Sequence, residues 1–433
     1  MGFLKRSIFV NYNRNSINDM KTAILHYSVP PVVGGVESVI NAHANQFVAA
    51  RLPLKIIAGR GDANALPQGV EFLRITEIDS MNPEIAAVTA ELNNGNIPGT
   101  FNNLVDRLAN KLRPELKDID HLIVHNALTK HFNLPLTAAL FLLMNEGVIR
   151  HTVAWCHDLS WSSPNSRSKV FPSYPWNLLK TFQPNTTYVA ISKKRQEEIV
   201  ETFGCTPEKV RIIHNGVDPH TLFALSDQGT ALIDRMGLLA ADLILSMPVR
   251  VTEAKNIEFA IRVVASIKSL NCCPKLIVTG PPDPHDKTSM SYYESLLKLR
   301  HDLNLDNDIH FVFGSGPDLN VGYKISNEVV SELYRVADAM FMPSHREGFG
   351  MPILEAGLLG MPIISTSVPV VQDLNLTDAL IYSNDIPPLQ LAEQILNWIN
   401  SKPEHRLRVK VRQNFTWDAI FEHNILPLLL SEC

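Results

Sequence analysis

EGFGMPILE, residues 347–355, is the stretch on which the reading of this chain turns. Two glutamates, Glu347 and Glu355, enclose seven residues that begin Gly348-Phe349-Gly350-Met351 and pass through Pro352. Just upstream, Asp338 to Ser344 reads as an apolar strand, and His345 to Gly350 reads as a loop. Pro352 suits the first turn of a helix, where its missing N–H costs nothing. Gly360 and Pro362 stop that helix, and a strand pattern returns at 362–366. The block is therefore a strand-to-helix turn at the carboxyl end of a parallel strand, the end at which open α/β sheets bind ligands. Glycines let a ligand approach the backbone. A helix N-terminus offers N–H groups and the positive end of a dipole, which suits a diphosphate. The two carboxylates are hydrogen-bond acceptors. Glu347 leaves the strand end and suits sugar hydroxyls; Glu355, expected in the first helical turn, suits ribose hydroxyls.

The pattern around this block repeats along the chain. Strand-like runs fall at 22–29, 54–59, 121–125, 151–157, 186–192 and 210–215. They return at 242–249, 275–280, 308–313, 338–344, 362–366 and 379–383. Helical patterns such as 36–50, 256–270, 327–337 and 388–401 separate them. Runs rich in β-branched residues that alternate with helices imply parallel sheets in an α/β architecture. Two sets of six strands are more than one compact sheet holds, and residues 219–240 carry no strand signal. The expected organisation is an N-terminal tail at 1–20, a first domain at 21–218, a linker at 219–240 and a second domain at 241–411. Both domains are doubly wound and Rossmann-like, facing each other across a cleft.

Composition narrows the class. The 433 residues are 45% hydrophobic and 19% charged, with a net charge of −5. That balance argues against a large nucleic-acid footprint. The five cysteines include no CxxC pair and read as reduced thiols of a cytoplasmic protein. The longest apolar run, Leu134 to Met144, contains Pro135 and falls short of the roughly 20 residues of a membrane span. The first twenty residues show no apolar centre of a secretion signal, and Arg6 stands where myristoylation needs Ser or Thr.

The EX7E spacing, the GFG turn and the following LEAGLLGMPII resemble the retaining glycosyltransferases of family four, which have the GT-B fold. Val33-Gly34-Gly35-Val36-Glu37 is similar to that family's GGxE loop. His214-Asn215-Gly216-Val217-Asp218 is similar to its NGVD segment, with His214 where proline is common. Pro248-Val249-Arg250 with Lys255-Asn256 resembles its Arg and Lys pair, and Phe415-Thr416-Trp417 the start of its closing helix. The resemblance implies that residues 412–433 form a helix crossing back onto the first domain.

It also implies roles. The first domain would bind the acceptor and the second the donor. Gly34 and Gly35 would bring backbone close to the donor diphosphate; the absence of GxGxxG weakens a dehydrogenase reading. Arg250 and Lys255 would neutralise the leaving diphosphate. Glu347 with the backbone of Gly348, Phe349, Gly350 and Met351 would hold the sugar, and Glu355 the ribose. His157, at the end of the strand HTVAWCH, would lie near the sugar and the departing phosphate. His125-Asn126 ends another strand without an assigned role. Asp118-Ile119-Asp120 and Asp306-Asn307-Asp308 are DxD triplets, but both precede strands and read as turn residues. No metal and no cofactor is expected, the nucleotide-sugar being a substrate. The expected activity is metal-independent, retaining hexosyl transfer from a UDP- or GDP-sugar to a sugar, lipid-linked or small-molecule hydroxyl, with room for peripheral membrane contact. A retaining phosphorylase or sugar-nucleotide epimerase on the same fold, or a non-catalytic sugar-nucleotide sensor, would share these motifs.

Overall fold

The computed structural model describes residues 20–285, 288–318 and 321–431; the expected tail lies outside them except for Met20. The chain divides into two units. One runs to Gly216 and resumes at Trp417; the other is Val217–Thr416.

The first unit carries seven parallel strands: β1 (Thr22–Ser28), β2 (Leu54–Arg60), β3 (Glu71–Arg74), β4 (His121–His125), β5 (His151–Cys156), β6 (Thr186–Ala190) and β7 (Val210–Ile212), in the spatial order β3-β2-β1-β4-β5-β6-β7. β1 is central and every residue of it is buried, which is why TAILHYS reads as a continuous run rather than an alternation. Core side chains fill both faces of this sheet. On one, Ile24, Ile56, Ile123 and Val189 pack with Phe47 and with Phe421, Ile425 and Leu429 of the C-terminal segment. That segment is a short helix, Trp417–Ile420, a π-turn, Phe421–Ile425, and a last turn, Leu426–Leu430. On the other face, Leu25, Leu122, Val124 and Ala154 meet the helices Phe101–Leu116 and Leu134–Asn145. The apolar run beginning at Leu134 is thus a buried core helix opened by Pro135 and capped by Asn133 Oδ1. Among the described residues, no helix is long and apolar enough to cross a membrane.

The second unit has six parallel strands: β8 (Leu243–Met247), β9 (Pro274–Val278), β10 (Ile309–Phe311), β11 (Ala339–Met342), β12 (Ile363–Thr366) and β13 (Leu380–Tyr382), ordered β10-β9-β8-β11-β12-β13. Residues 219–240, which carry no strand signal, are helical at Pro219–Leu222 and Asp227–Met236. They contribute Leu232, Ile233 and Met236 to this unit's core. Asp338 fixes the entry of β11. Its buried carboxylate accepts the Ile244 amide at 2.8 Å and both Arg412 guanidinium nitrogens at 2.9 Å. Arg412 lies on the helix Pro403–Asn414, so residues 412–416 belong to the second unit.

In both sheets the strand order reverses beside the first strand, between β1 and β4 and between β8 and β11. Such a switch point splays two βα loops apart and leaves a crevice at the carboxyl edge. One strand was not legible beforehand. β3 is short, half-exposed and at the edge, so EFLR lacks the apolar run of its neighbours.

Candidate active site

The switch point of the second unit gathers the EX7E block. After β11 the chain passes through Pro343 and Ser344 into an open loop, and the helix Met351–Leu358 begins behind Gly350. Gly350 has φ 102°, and a Cβ there would meet Val370 Cγ1 at 2.6 Å, so both backbone and packing require glycine. Gly348 faces open space; Phe349 and Met351 are exposed.

Glu347 is held from two sides. Ser344 Oγ donates to one carboxylate oxygen at 2.6 Å and Lys255 Nζ to the other at 2.7 Å. The Glu347 side chain is 8% exposed, so this ion pair is shielded from water far better than a surface pair. A backbone bond places Lys255 opposite: the His345 amide donates to the Ala254 carbonyl at 3.0 Å, tying the β11 loop to the turn Glu253–Lys255 after β8.

Glu355 departs from expectation. It is the fifth residue of its helix, which starts at Met351, and so stands in the second turn rather than the first. Dipole complementation therefore does not account for it. Tyr334 Oη donates to Glu355 Oε2 at 2.6 Å, and burial with this carboxylate pushes the Tyr334 phenol up. One carboxylate oxygen is thereby anchored. Arg250 is not drawn into the Lys255–Glu347 pair. Its side chain is 60% exposed and lies 3.8 Å from Asp283.

The first unit gathers the remaining candidates at its own switch point. Gly34 precedes the helix Gly35–Ala49 in an extended conformation. A Cβ on Gly34 would fall 2.1 Å from Glu37 Oε2, whereas the Cβ position of Gly35 is open. Glu37, in the first turn, accepts Ser28 Oγ at 2.5 Å and lies 3.9 Å from His26 Nε2. His26 Nδ1 donates to the His125 carbonyl at 2.9 Å, and His125 Nδ1 pairs with His157 Nε2 at 2.9 Å. A chain of polar contacts thus runs from the Gly34 loop to His157.

His125 Nε2 is buried and has no hydrogen-bond partner. An orphaned lone pair is cheaper to bury than an orphaned N–H, so His125 carries its proton on Nδ1 and donates it to His157. His157 then keeps its own proton on Nδ1. Burial lowers its pKa to about 3, reinforced by His26 and Arg195, so His157 is a neutral donor at pH 7. His43 completes the cluster, 4.7 Å from Trp155 and 5.6 Å from His125 between ring centroids.

Asn126, which had no assigned role, clamps the end of β5. In a left-handed conformation, φ 58°, its Oδ1 accepts the amides of His157 and Asp158 at 2.9 and 3.1 Å. Ser344, Tyr334, His26 and His43 were likewise not singled out from the sequence. Tyr334, His26 and His43 meet partners distant in the chain; Ser344 meets Glu347 only three residues on, but nothing in the local pattern marks that serine as a donor to a carboxylate. The aspartate triplets lie at the amino ends of strands and are engaged there: Asp120 with Arg150 at 2.9 Å, Asp306 with Arg300 at 3.1 Å and Asp308 with Lys268 at 2.5 Å. No group of metal-ligating side chains occurs among the described residues.

Residues 33–221 match the family model of Glycosyltransferase Family 4, and residues 238–414 that of Glycosyl transferases group 1. The chain is 24% identical over 331 residues to a mannosylglucosylglycerate synthase of Petrotoga mobilis, covering 72% of this chain and 71% of that protein. It is 28% identical to an uncharacterized glycosyltransferase of Methanocaldococcus jannaschii, over 42% of each. The chain spans 38% to 42% of the length of several curated relatives that it matches. A solved glycosyltransferase from Rickettsia africae aligns over 95% of this chain and 98% of that one, at 17% identity and a TM-score of 0.38.

Proposed function

We propose that this chain, which belongs to the group 1 glycosyltransferases, moves a sugar from a nucleotide donor to a hydroxyl acceptor with retention at the anomeric carbon. The observation that carries this reading is the Lys255–Glu347 pair at the β8/β11 switch point, directly before a glycine turn and a helix N-terminus. A cation and an oriented carboxylate there can meet a diphosphate and a sugar together.

In this mechanism the second unit takes the donor, a UDP- or GDP-sugar. Lys255 and Arg250 stabilise charge growing on the departing diphosphate. Glu347 and the backbone amides of 348–351 orient the sugar, and Glu355 holds the ribose against Tyr334. The first unit takes the acceptor. Gly34, Gly35 and His157 are assigned the phosphate and sugar contacts that the family resemblance implies, with His157 donating through Nδ1–H as a neutral group. The bond from the anomeric carbon to phosphate breaks, and a bond to the acceptor oxygen forms on the same face. The acceptor proton passes to the leaving phosphate. The cations Arg250 and Lys255 do the neutralising, so transfer is expected to survive EDTA. Near-complete loss restored by Mg²⁺ would sink that reading.

The testing experiment incubates the protein with a panel of UDP- and GDP-sugars and candidate acceptors, then follows nucleotide release. Proton NMR of the product's anomeric coupling reads retention. Binding without release would favour a sensor, and phosphate-dependent release of a sugar phosphate a phosphorylase. Glu355→Gln provides a finer check. Ribose changes little during reaction, so this variant removes binding common to ground and transition states. A hydrogen bond to a charged group is worth about 1.5–3 kcal/mol, so donor KM is expected to rise roughly 10- to 150-fold with kcat little changed. A fall in kcat at constant KM would remove Glu355 from the ribose.

A further inference from the structure

The second unit has a cavity of about 480 Å³ at the amino edge of its sheet, the edge opposite the EX7E block. Asp242 and Leu243, at the start of β8, and Asn271 and Cys272, just before β9, line it from the sheet. The helices Pro388–Ser401 and Pro403–Asn414 supply most of the remaining wall. Sites for small organic ligands have volumes of roughly 300–1,000 Å³. Lys255 and Glu347 follow the other ends of β8 and β11, so the cavity is separate from the donor crevice.

The lining joins apolar surface to two cations. Leu243 and Ile399 belong to the core of the unit and Leu396 packs against it. Arg406 and Lys410 stand one turn apart on the helix Pro403–Asn414. Arg406 Nη1 donates to the Asn400 carbonyl at 2.6 Å, and among the described residues neither cation has an ion-pair partner. The acid of the lining, Asp242, has a donor on each oxygen. Oδ1 accepts Gln413 Nε2 at 2.5 Å and Oδ2 the Cys273 amide at 2.8 Å.

A second observation concerns His405, in the same wall. The residue is 7% exposed, and its Nδ1 is buried with no hydrogen-bond partner. An orphaned lone pair is cheaper to bury than an orphaned N–H, so the proton sits on Nε2. Burial lowers the His405 pKa; Asp338 opposes this, and Arg412 and Arg408 reinforce it, so the ring is a neutral donor at pH 7. The wall is also firmly held. Arg412 ties its helix to the sheet through Asp338 and through the Ala241 carbonyl, both at 2.9 Å. An apolar surface beside two cations without counter-charges and a neutral donor is suited to an anion carried on an apolar body.

We propose that this cavity binds a small organic anion, with its apolar body against Leu243, Leu396 and Ile399 and its carboxylate or phosphate group on Arg406 and Lys410. The Nε2–H of His405 is a further donor to it. The proposal goes beyond the transferase reading and does not depend on it.

Fluorescence titration of the full chain with 8-anilinonaphthalene-1-sulfonate, an anion on an aromatic body, tests the site at low salt. Wild type is expected to bind saturably. The double variant Arg406→Gln, Lys410→Gln, at exposed positions, is expected to bind about tenfold more weakly, the lower end of the worth of a charge-assisted bond. Val409→Trp, which fills the cavity, is expected to abolish binding; if it does not fold, the exposed double variant still decides. N-phenyl-1-naphthylamine, which lacks the sulfonate, is expected to bind wild type about tenfold more weakly than the dye. Lys255→Gln, in the donor crevice, is expected to leave the dye affinity unchanged. No saturable binding by wild type, equal affinity in wild type and the double variant, or loss of binding in Lys255→Gln would overturn the proposal. Phenyl phosphate and octanoate, added as competitors, then distinguish organic phosphate from carboxylate; displacement by neither also overturns it. Failure of these titrations would leave donor turnover intact, and absence of donor turnover would leave the titrations standing.

Discussion

Glu347→Gln is expected to lower kcat and kcat/KM together, by on the order of 10²–10³. The substitution keeps volume and the acceptor toward Ser344 but removes the charge that Lys255 meets at 2.7 Å. As the glycosidic bond lengthens, positive charge builds on the sugar ring and negative charge on the diphosphate. A carboxylate beside the ring and a cation beside the phosphate then gain in interaction, which is the condition for an effect on kcat rather than on KM. The shielding of Glu347 from solvent enlarges the effect. Glutamine also turns an N–H toward Lys255 or leaves that ammonium with a weaker acceptor, so Lys255 is displaced as well. Steady-state kinetics with donor varied is the measurement, after circular dichroism confirms the fold. Turnover within a factor of two of wild type would make the Glu347–Lys255 pair structural and take away the main support for the mechanism.

The second large effect is on stability. His26, His43, His125 and His157 form one buried cluster, and burial is the first cause lowering the pKa of each. His43 and His157 are brought to about 3. In the unfolded chain each takes up a proton near pH 6.5. The unfolded state therefore binds more protons between about pH 6.5 and 3, and stability falls as pH falls through that window. Glu37 opposes the shift at His26, and Arg195 reinforces it at His157. A single fully shifted histidine costs about 2 kcal/mol at pH 5 relative to high pH. Four coupled ones are expected to cost roughly 4–8 kcal/mol, much of the stability of an ordinary domain. Urea unfolding between pH 7.5 and 5 should show a steep loss. His43→Leu should flatten it by about a quarter, because both ring nitrogens of His43 are buried without partners and an apolar side chain of similar size loses no bond. A pH slope unchanged by His43→Leu would remove the cluster from the explanation.

The candidate site was legible from the sequence where its members are local. Glu347, the glycine turn and Pro352 lie within a few residues, so strand, loop and helix start followed from apolar run, glycines and proline in turn. The strands flanking the site were legible because central parallel strands, buried on both faces, are continuous apolar runs. Edge strand β3 was not, since one flank and much of its surface face water. The helix start behind Gly350 was legible as well, but Glu355 stands fifth from it, just past the first turn, and Tyr334, which engages it, lies 21 residues upstream.

By itself, then, the sequence determined the α/β class, the two sets of strands and the glycine turn with its glutamate, all properties of short windows where periodicity and backbone preference act. Tertiary structure decided which side chains meet. His26, His43, His125 and His157 are scattered over more than a hundred positions; the pairing of β1 with β4 and β4 with β5 brings three of them together, and the packing of the helix Gly35–Ala49 on the sheet adds His43. Lys255 and Glu347 are 92 residues apart and meet because β8 and β11 are neighbours at the switch point. A residue's local pattern can show that it ends a strand, but its partner and its burial depend on strand order, which is fixed by the packing of the whole sheet.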